Sequence, residues 1–356
     1  MKNRITRSIL AAFCAAAMMF TMAACGGSSS SSTTTTTDSD SDSSAAATTT
    51  ADGDEQTFNL VLSHGLAEDH AIHIQLTSFA EDVAEQSGGT INITIKANGT
   101  LGSESDNIAS IQAGALEMAK VSASTLSNFN STWDVASLPY LFESEEHYFE
   151  VMDGEIGETL MGLTESDGFI GLTWFDSGAR SFYTADTPIY SPDDLKGLKI
   201  RTMDSTIATN MMAALGGSST VMSYSEVYTA MQNGTIDGAE NNITAMRDHS
   251  DVTQYYCYDE HTRIPDILVI STSTWNSMSE NQQNILKSCA QAATEEYKTA
   301  WDEFEEECEA DAIANGVTFI ESDEMDIEAF REACQSLYDD LDTEVADLVA
   351  QIQALA

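Results

Sequence analysis

Positively charged side chains are scarce in this chain. Lysine and arginine together number 14 against 58 aspartates and glutamates, so the formal net charge is −44 at pH 7. This excess of negative charge repels phosphate backbones, which excludes nucleic acid as a partner. It also repels anionic solutes at long range, and an anion site must therefore be a local cluster of arginines or helix N-termini. The few arginines of the chain are informative for this reason.

Motifs of the common enzyme classes are also missing. The chain has no Gly-x-Ser-x-Gly elbow, no Walker loop, no His-Glu-x-x-His zinc motif and no dinucleotide fingerprint. We therefore expect a protein that is not an enzyme and that uses no cofactor.

Cysteines are few and their spacing gives no metal or redox motif. Outside the first 25 residues the cysteines are Cys257, Cys289, Cys308 and Cys334. None of them forms a Cys-x-x-Cys pair. Disulfides are possible in an exported protein, and buried free thiols on helices are equally possible, so the state of these cysteines stays open.

The N-terminus has the pattern of an export signal. Lys2, Arg4 and Arg7 precede an apolar stretch, residues 9–22, that is too short to span a bilayer. We predict a signal peptide over residues 1–24. It ends in Met-Ala-Ala before Cys25, which resembles a bacterial lipobox with Met22 in place of the usual leucine. Cys25 is therefore predicted to carry a lipid; the alternative is a secreted protein with an unmodified cysteine.

Residues 25–54 contain no large apolar side chain and consist mostly of glycine, serine, threonine, aspartate and alanine. Such a segment cannot bury enough surface to offset the entropy lost on ordering. We predict a flexible tether that holds the folded part on the outer face of the cytoplasmic membrane.

Strand and helix patterns alternate from residue 57 onward. Apolar residues alternate over residues 57–63, repeat at helical spacing over 72–83, and alternate again over 91–95. Further helices are predicted over 108–118, after Ser205 as N-cap, and after the Ser223-x-x-Glu226 capping box. This order predicts an α/β fold with largely parallel sheets.

The strongest helical pattern covers residues 279–315. It begins at a Ser279-x-x-Gln282 box and ends before Gly316. At about 1.5 Å per residue such a helix is roughly 50 Å long, which is enough to brace two lobes. Its acidic run, residues 302–311, is interpreted as a solvated face.

Several consecutive segments resemble one transporter family. The segments are Gly-Ala-Arg-Ser-Phe-Tyr-Thr at 178–184, Pro-Asp-Asp-Leu-Lys-Gly-Leu-Lys-Ile-Arg at 192–201, Ala-Leu-Gly-Gly at 214–217, Met-Ser-Tyr-Ser-Glu-Val-Tyr at 222–228 and Gly-Thr-Ile-Asp-Gly-Ala-Glu-Asn-Asn at 234–242. Together they resemble the solute-binding proteins of tripartite ATP-independent periplasmic (TRAP) transporters, and the resemblance extends over residues 58–341.

The resemblance implies two α/β lobes that close like a hinge on a ligand, with a long helix crossing both. It implies lobe I from residues 55–177 and 267–306, and lobe II from residues 178–266 and 307–356. The partners that it implies are a small carboxylate ligand and the membrane subunits of a TRAP transporter.

The resemblance also implies the ligand contacts. Arg201 matches the arginine that pairs with the substrate carboxylate, and Arg180 matches a second cleft arginine. The remaining predicted contacts are Asn241, the aromatic wall Tyr224, Glu104 after a glycine turn, Glu240, and Ser63 or His64 at the end of the first strand.

The chemistry of arginine agrees with this assignment. A guanidinium is a planar fork that binds a carboxylate through two charge-assisted hydrogen bonds and stays charged at ordinary pH. Arg201 lies near the end of a predicted strand, where open α/β sheets bind their ligands. In so acidic a chain, either arginine could instead pair with a neighbouring carboxylate.

Alternative ligands and functions remain open at the level of the sequence. The run Asp-Gly-Ala-Glu-Asn-Asn at 237–242, with Asp-Glu-His at 259–261, resembles the sugar-acid branch of the family. We therefore predict a sugar acid of the hexuronate type, whose hydroxyls suit the carboxylate and amide groups of Glu240 and Asn241; a C4-dicarboxylate is the alternative. A cluster of His64, His70, His73 and Glu68 could instead indicate metal capture, although we predict no metal site. The tether would equally suit an adhesin.

Overall fold

The computed structural model describes residues 55–339 and 341–356, whose strands and helices form two α/β lobes. The strands are β1 (Phe58–Ser63), β2 (Ile91–Lys96), β3 (Met118–Ser122), β4 (Phe169–Phe175), β5 (Ala179–Thr184), β6 (Lys199–Thr202), β7 (Ser218–Val221), β8 (Gly238–Asn241), β9 (Tyr255–Arg263), β10 (Asp266–Ser271) and β11 (Thr318–Ile320). The helices are α1 (Ala71–Gln86), α2 (Glu104–Gln112), α3 (Ala123–Leu126), α4 (Glu145–Met152), α5 (Glu155–Gly162), α6 (Thr206–Ala214), α7 (Tyr224–Gln232), α8 (Met246–His249), α9 (Thr272–Ser277), α10 (Glu280–Ala314), α11 (Ile327–Cys334) and α12 (Thr343–Gln353).

Each lobe is built on one mixed sheet. The first sheet has the order β2-β1-β3-β10-β4, and the second has the order β11-β9-β5-β8-β6-β7. The first three strands of lobe I pair in parallel, whereas β10 runs antiparallel to β3 and β4. In the second sheet β5 runs antiparallel to β8 and β9. The expectation of largely parallel sheets is therefore wrong for the strands at which the chain passes from one sheet to the other. A strand that enters a sheet from the other lobe runs in the direction opposite to that of its neighbours.

The chain passes between the sheets at two short connections, β4 to β5 and β9 to β10. These connections cover residues 176–178 and 264–265. Asp266, which the predicted division placed at the end of a lobe II segment, is the first residue of β10 in the first sheet. The last helix departs from the predicted division, which assigned residues 307–356 to lobe II. Four apolar residues of α12 are buried in the same core as Val121 and Trp174 of the first sheet: Val345, Leu348, Val349 and Ile352. Burial of this apolar face decides where α12 packs.

Local capping residues begin the helices where the sequence predicts. The Ser279 side chain accepts from Gln282 N at the start of α10, and Ser205 caps α6. The capping box of Ser223 with Glu226 begins α7. The helix predicted over 108–118 is wrong in its bounds, because α2 ends at Gln112 and Met118 begins β3. A left-handed glycine, Gly114 with φ of 70°, separates the two elements.

Helix α10 is 35 residues long and contacts both lobes. Its N-terminal part packs against α1 and β4, and Leu286 and Tyr297 are fully buried there. Near its C-terminus Ala312 joins the core of lobe II, and Asn315 Nδ2 donates to Ser250 Oγ at 2.8 Å. The predicted long helix thus connects the two cores.

All four cysteines of the folded part are buried free thiols, on β9, α10 and α11. Within the part of the chain that the structure describes, no helix is long and apolar enough to cross a membrane. The predicted signal peptide, the lipidated Cys25 and the tether lie outside the described residues.

Candidate functional site

A cavity of about 480 Å³ lies between the two sheets. Both lobes line it: Lys120 and Asp266 come from the first sheet, and Arg180, Arg201 and Asn241 from the second. Its volume falls in the range of roughly 300 to 1,000 Å³ that is typical of small-molecule sites. Of the predicted contacts, the cavity brings together Arg201, Arg180, Asn241, Tyr224 and Glu104. It does not include Ser63, His64 or Glu240.

Arg201 is a buried cation that has no acidic partner in the described part of the chain. It lies on β6 with only 5% of its surface exposed, and its Nε donates to the carbonyl of Met222 at 3.0 Å. Among the described residues no carboxylate pairs with it within 4.0 Å. Burial lowers the pKa of Arg201; the attraction of Glu240 opposes this shift, and the repulsion of Arg180 adds to it. An anion that entered the cavity would supply the missing charge.

Arg180 is as deeply buried, but its charge is already balanced. Its Nε donates to Glu240 Oε2 at 2.7 Å, and its Nη2 donates to the carbonyl of Glu240 at 2.7 Å. Its Nη1 donates to Asn241 Oδ1. Glu240 therefore lies behind Arg180 and orients it, rather than contacting the cavity as the sequence suggested.

A buried chain of charges continues behind Glu240. His261 Nε2 lies 3.5 Å from Glu240 Oε2, and His261 Nδ1 lies 2.7 Å from Asp259 Oδ2. Burial alone would lower the pKa of His261, but Asp259 and Glu240 outweigh it and raise the pKa to about 9. Burial would likewise raise the pKa of Glu240, yet Arg180 and His261 lower it to about 2. The imidazolium and the carboxylate thus stabilise each other.

Two polar side chains complete the lobe II wall. The side-chain oxygen Oδ1 of Asn241 accepts from Arg180 Nη1, so the side-chain nitrogen Nδ2 is left as a donor at the cavity wall. Tyr224 begins α7, and its hydroxyl donates to Asp248 Oδ2 at 3.0 Å. The ring of Tyr224, with its hydroxyl already bonded, forms the aromatic wall.

The lobe I wall centres on the N-terminus of α2. Glu104 is the first residue of this helix, and its Oε2 accepts from Ser122 N at 3.1 Å and from Thr125 Oγ1 at 2.8 Å. His64 lies beneath the wall, with Nε2 3.0 Å from His73 Nδ1.

His70, rather than His64, reaches the cavity from this side. Its Nδ1 accepts from Ile72 N as the N-cap of α1. Burial lowers the pKa of both His64 and His70 to about 3, so both are neutral at pH 7. The described residues contain no group of three metal-ligating side chains placed to hold an ion.

A cavity between two α/β lobes, with an unpaired arginine in its wall, is the architecture of a binding protein that closes on an anion. Residues 62–344 match the model of the bacterial extracellular solute-binding protein family 7. The chain belongs to this family. It is 42% identical to the protein YiiZ of Salmonella typhimurium over 73% of this chain and 80% of that protein.

Solved structures agree with this assignment. A TRAP periplasmic solute-binding protein from Anaerococcus prevotii with bound D-glucuronate superposes with a TM-score of 0.81 at 35% identity, covering 84% of this chain and 98% of that chain. One from Xanthobacter autotrophicus with bound β-D-galacturonate has a TM-score of 0.80 at 32% identity, covering 83% of this chain and 99% of that chain.

Sequence reasoning missed two charged residues of this solute-binding protein, Lys120 and Asp266. Lys120 lies on β3, where all five residues are buried, and it pairs with Asp266 Oδ2 at 3.0 Å. Lysine is almost never fully buried without a partner. A lone lysine in the otherwise apolar or small-residue strand Met-Ala-Lys-Val-Ser was therefore a signal that the sequence did carry.

Hydrogen bonds between described residues join the two lobes of this solute-binding protein beside the cavity. Asp204 of lobe II accepts from Ser105 Oγ at 3.0 Å, and its carbonyl accepts from Asn128 Nδ2 at 2.7 Å. In addition, His70 Nε2 lies 3.4 Å from Thr244 Oγ1. These contacts connect the lobes across the cleft.

Proposed function

We propose that this protein captures a hexuronate outside the cell and delivers it to the membrane subunits of a TRAP transporter, without catalysing a reaction. The observation that carries the proposal is Arg201, a buried guanidinium at the cavity wall with no acidic partner among the described residues. A carboxylate bound there would form charge-assisted, bidentate hydrogen bonds in a water-poor site. The hexuronates bound by the two solved relatives carry one carboxylate each, which matches a single unpaired arginine.

A C4-dicarboxylate is less well supported. Its second carboxylate needs a second free cation, but Glu240 neutralises Arg180. Lys120 pairs with both Glu104 and Asp266. Among the cavity residues that the structure describes, Arg201 alone keeps an uncompensated positive charge, so we favour a monoanion with hydroxyl groups.

The test is calorimetric titration of the ligand-free protein with D-glucuronate, D-galacturonate, succinate and malate. We expect tight binding of at least one hexuronate. Arg201→Ala should weaken it by roughly 30-fold to several thousand-fold, because removing one partner of a buried charge pair commonly costs about 2 to 5 kcal/mol.

Arg331→Ala is the matched control, since Arg331 is exposed outside the cavity. Its affinity should equal that of the parent. Tight binding of succinate without a response to either hexuronate would overturn the sugar-acid choice. An Arg201→Ala affinity within threefold of the parent would overturn the assignment of Arg201.

We further propose that a lipid on Cys25 holds the protein at the outer face of the membrane. The support is the Met-Ala-Ala-Cys sequence at 22–25 and the polar segment that follows. Replacing Cys25 with serine should move the protein from the detergent phase to the aqueous phase, whereas Ser30→Ala should leave it in the detergent phase. Retention of the Cys25→Ser protein in the detergent phase would contradict the anchor.

A further inference from the structure

Three charged side chains form a closed ion cluster on the lobe I wall of the cavity. Lys120 Nζ lies 3.3 Å from Glu104 Oε1 and 3.0 Å from Asp266 Oδ2. Asp266 Oδ2 also accepts from Ser177 Oγ at 2.9 Å. Lys120 and Asp266 are 3% and 6% exposed, and both face the cavity. The cluster lies in lobe I, whereas Arg201 belongs to lobe II.

The cluster keeps unused hydrogen-bonding capacity. An ammonium group has three N–H donors, and Glu104 and Asp266 account for two of those of Lys120. Oδ1 of Asp266 has no hydrogen-bond partner among residues 55–339 and 341–356. A donor and an acceptor are thus left next to each other at the edge of the cavity, on side chains that are almost fully buried. A ligand that fills this edge of the cavity must supply a partner for both, because a polar group that is cut off from water without a partner is costly.

We propose that Lys120 and Asp266 form a subsite that binds two adjacent hydroxyl groups of the ligand, one donating to Asp266 Oδ1 and the other accepting from Lys120 Nζ. This inference rests on the proposed function, because it places the far end of a ligand whose carboxylate is bound by Arg201. Adjacent hydroxyls present one donor and one acceptor at the spacing of a carboxylate beside an ammonium.

The charge of the cluster favours hydroxyls over a second carboxylate. Two carboxylates, Glu104 and Asp266, surround one ammonium, so the cluster carries a net negative charge when all three groups are ionised. Burial lowers the pKa of Lys120, but Asp266 and Glu104 outweigh it and raise the pKa, so the ammonium is charged. A second carboxylate would meet this negative charge, whereas a neutral diol would not.

The experiment couples a change in the protein with a change in the ligand. Calorimetry compares D-glucuronate with its monodeoxy analogues, each lacking one ring hydroxyl, on the parent and on Asp266→Asn. In the parent, loss of a hydroxyl bound by Asp266 should weaken binding by about 10-fold to 100-fold, because hydrogen bonds to charged groups contribute that much. In Asp266→Asn the same ligand change should cost less than threefold, because that hydrogen bond is already impaired.

Asp193→Asn serves as the matched control, since this carboxylate is exposed outside the cavity; it should leave every affinity unchanged. Equal discrimination against the deoxy analogues by the parent and by Asp266→Asn would overturn the subsite. If Asp266→Asn does not fold, the proposal is tested on the parent alone. A loss of affinity below threefold for every deoxy analogue overturns it, and a loss of affinity confined to analogues that lack one of two adjacent hydroxyls supports it. Failure of the parent to bind any hexuronate would refute the proposed function instead.

Discussion

The two cavity arginines are equally buried, yet their removal should change stability in opposite directions. Both are 5% exposed, but Arg180 pairs with Glu240 and Arg201 has no acidic partner among the described residues. Replacing each with methionine keeps much of the volume of the side chain and removes the charge. The free energy of unfolding of the ligand-free protein should then rise for Arg201→Met and fall for Arg180→Met.

The magnitudes follow from the contacts. Arg201→Met loses one hydrogen bond, to the carbonyl of Met222, at a net cost of about 1 kcal/mol. It also removes an unpaired buried charge whose desolvation costs several kcal/mol. We expect a net gain of about 1 to 3 kcal/mol, or a melting temperature higher by roughly 2 to 6 °C. Arg180→Met leaves the Glu240 carboxylate buried against His261 alone, and we expect a loss of about 3 kcal/mol.

The assay is urea unfolding at neutral pH, followed by fluorescence and circular dichroism. Bound ligand must first be removed by unfolding and dialysis, because a ligand at 100 times its Kd adds about 2.7 kcal/mol and would mask the difference. Calorimetry should show that both variants lose hexuronate binding. If Arg201→Met destabilises the protein as much as Arg180→Met does, then the charge of Arg201 is balanced in the free protein and our interpretation of the cavity is wrong.

Three further predictions follow from burial. The free energy of unfolding should be greatest near about pH 6.5. Above that pH the protein loses the stability contributed by protonated His261, whose pKa is raised to about 9 in the folded state. Glu305, whose pKa burial raises to about 8, also lowers the free energy of unfolding as the pH rises. Below it the protein is destabilised because three histidines have pKa values that burial lowers to about 3, 3 and 4: His64, His70 and His249. A free energy of unfolding that rises steadily from pH 4 to pH 10 would contradict this prediction. Gly178, between β4 and β5, and Gly114 have similar positive φ values of 64° and 70°. Gly178→Ala should lower the free energy of unfolding more than Gly114→Ala does, because only the methyl group at position 178 overlaps another residue, at Glu305 Oε1. Equal losses of stability in urea unfolding would refute this. All four thiols of the folded part should react with Ellman's reagent only on unfolding, because they are buried. Burial also raises the pKa of Cys257, Cys308 and Cys334 to about 12. Rapid reaction of the native protein would contradict this prediction.

Local signals predicted where three helices begin, and a family motif predicted two arginines that lie in the cavity wall. Capping depends on residues within one turn, so Ser205, Ser223 and Ser279 mark their helices in the sequence itself. Arg201 and Arg180 were predicted from a family motif and from the chemistry of the guanidinium. Both line the cavity.

Long-range packing could not be predicted in the same way. The position of β10 between β3 and β4, and the packing of α12 on lobe I, depend on contacts between segments that are far apart in the sequence. Glu240 and Asn241 were both predicted to contact the ligand, although neighbouring side chains alternate across β8 and so point to opposite faces. Asn241 therefore faces the cavity, and Glu240 faces the interior of lobe II.

The order of strands in the first sheet bears on how the chain can fold. Strand β10, which lies between β3 and β4, and helix α12 are synthesised long after β1, β2 and β3, so the first lobe stays incomplete until nearly the last residue is present. Contacts between such distant segments form slowly, because a large loop must close before they stabilise anything. An N-terminal portion without β10 and α12 therefore lacks part of the core of lobe I, and we expect it to stay unfolded until these C-terminal segments are present.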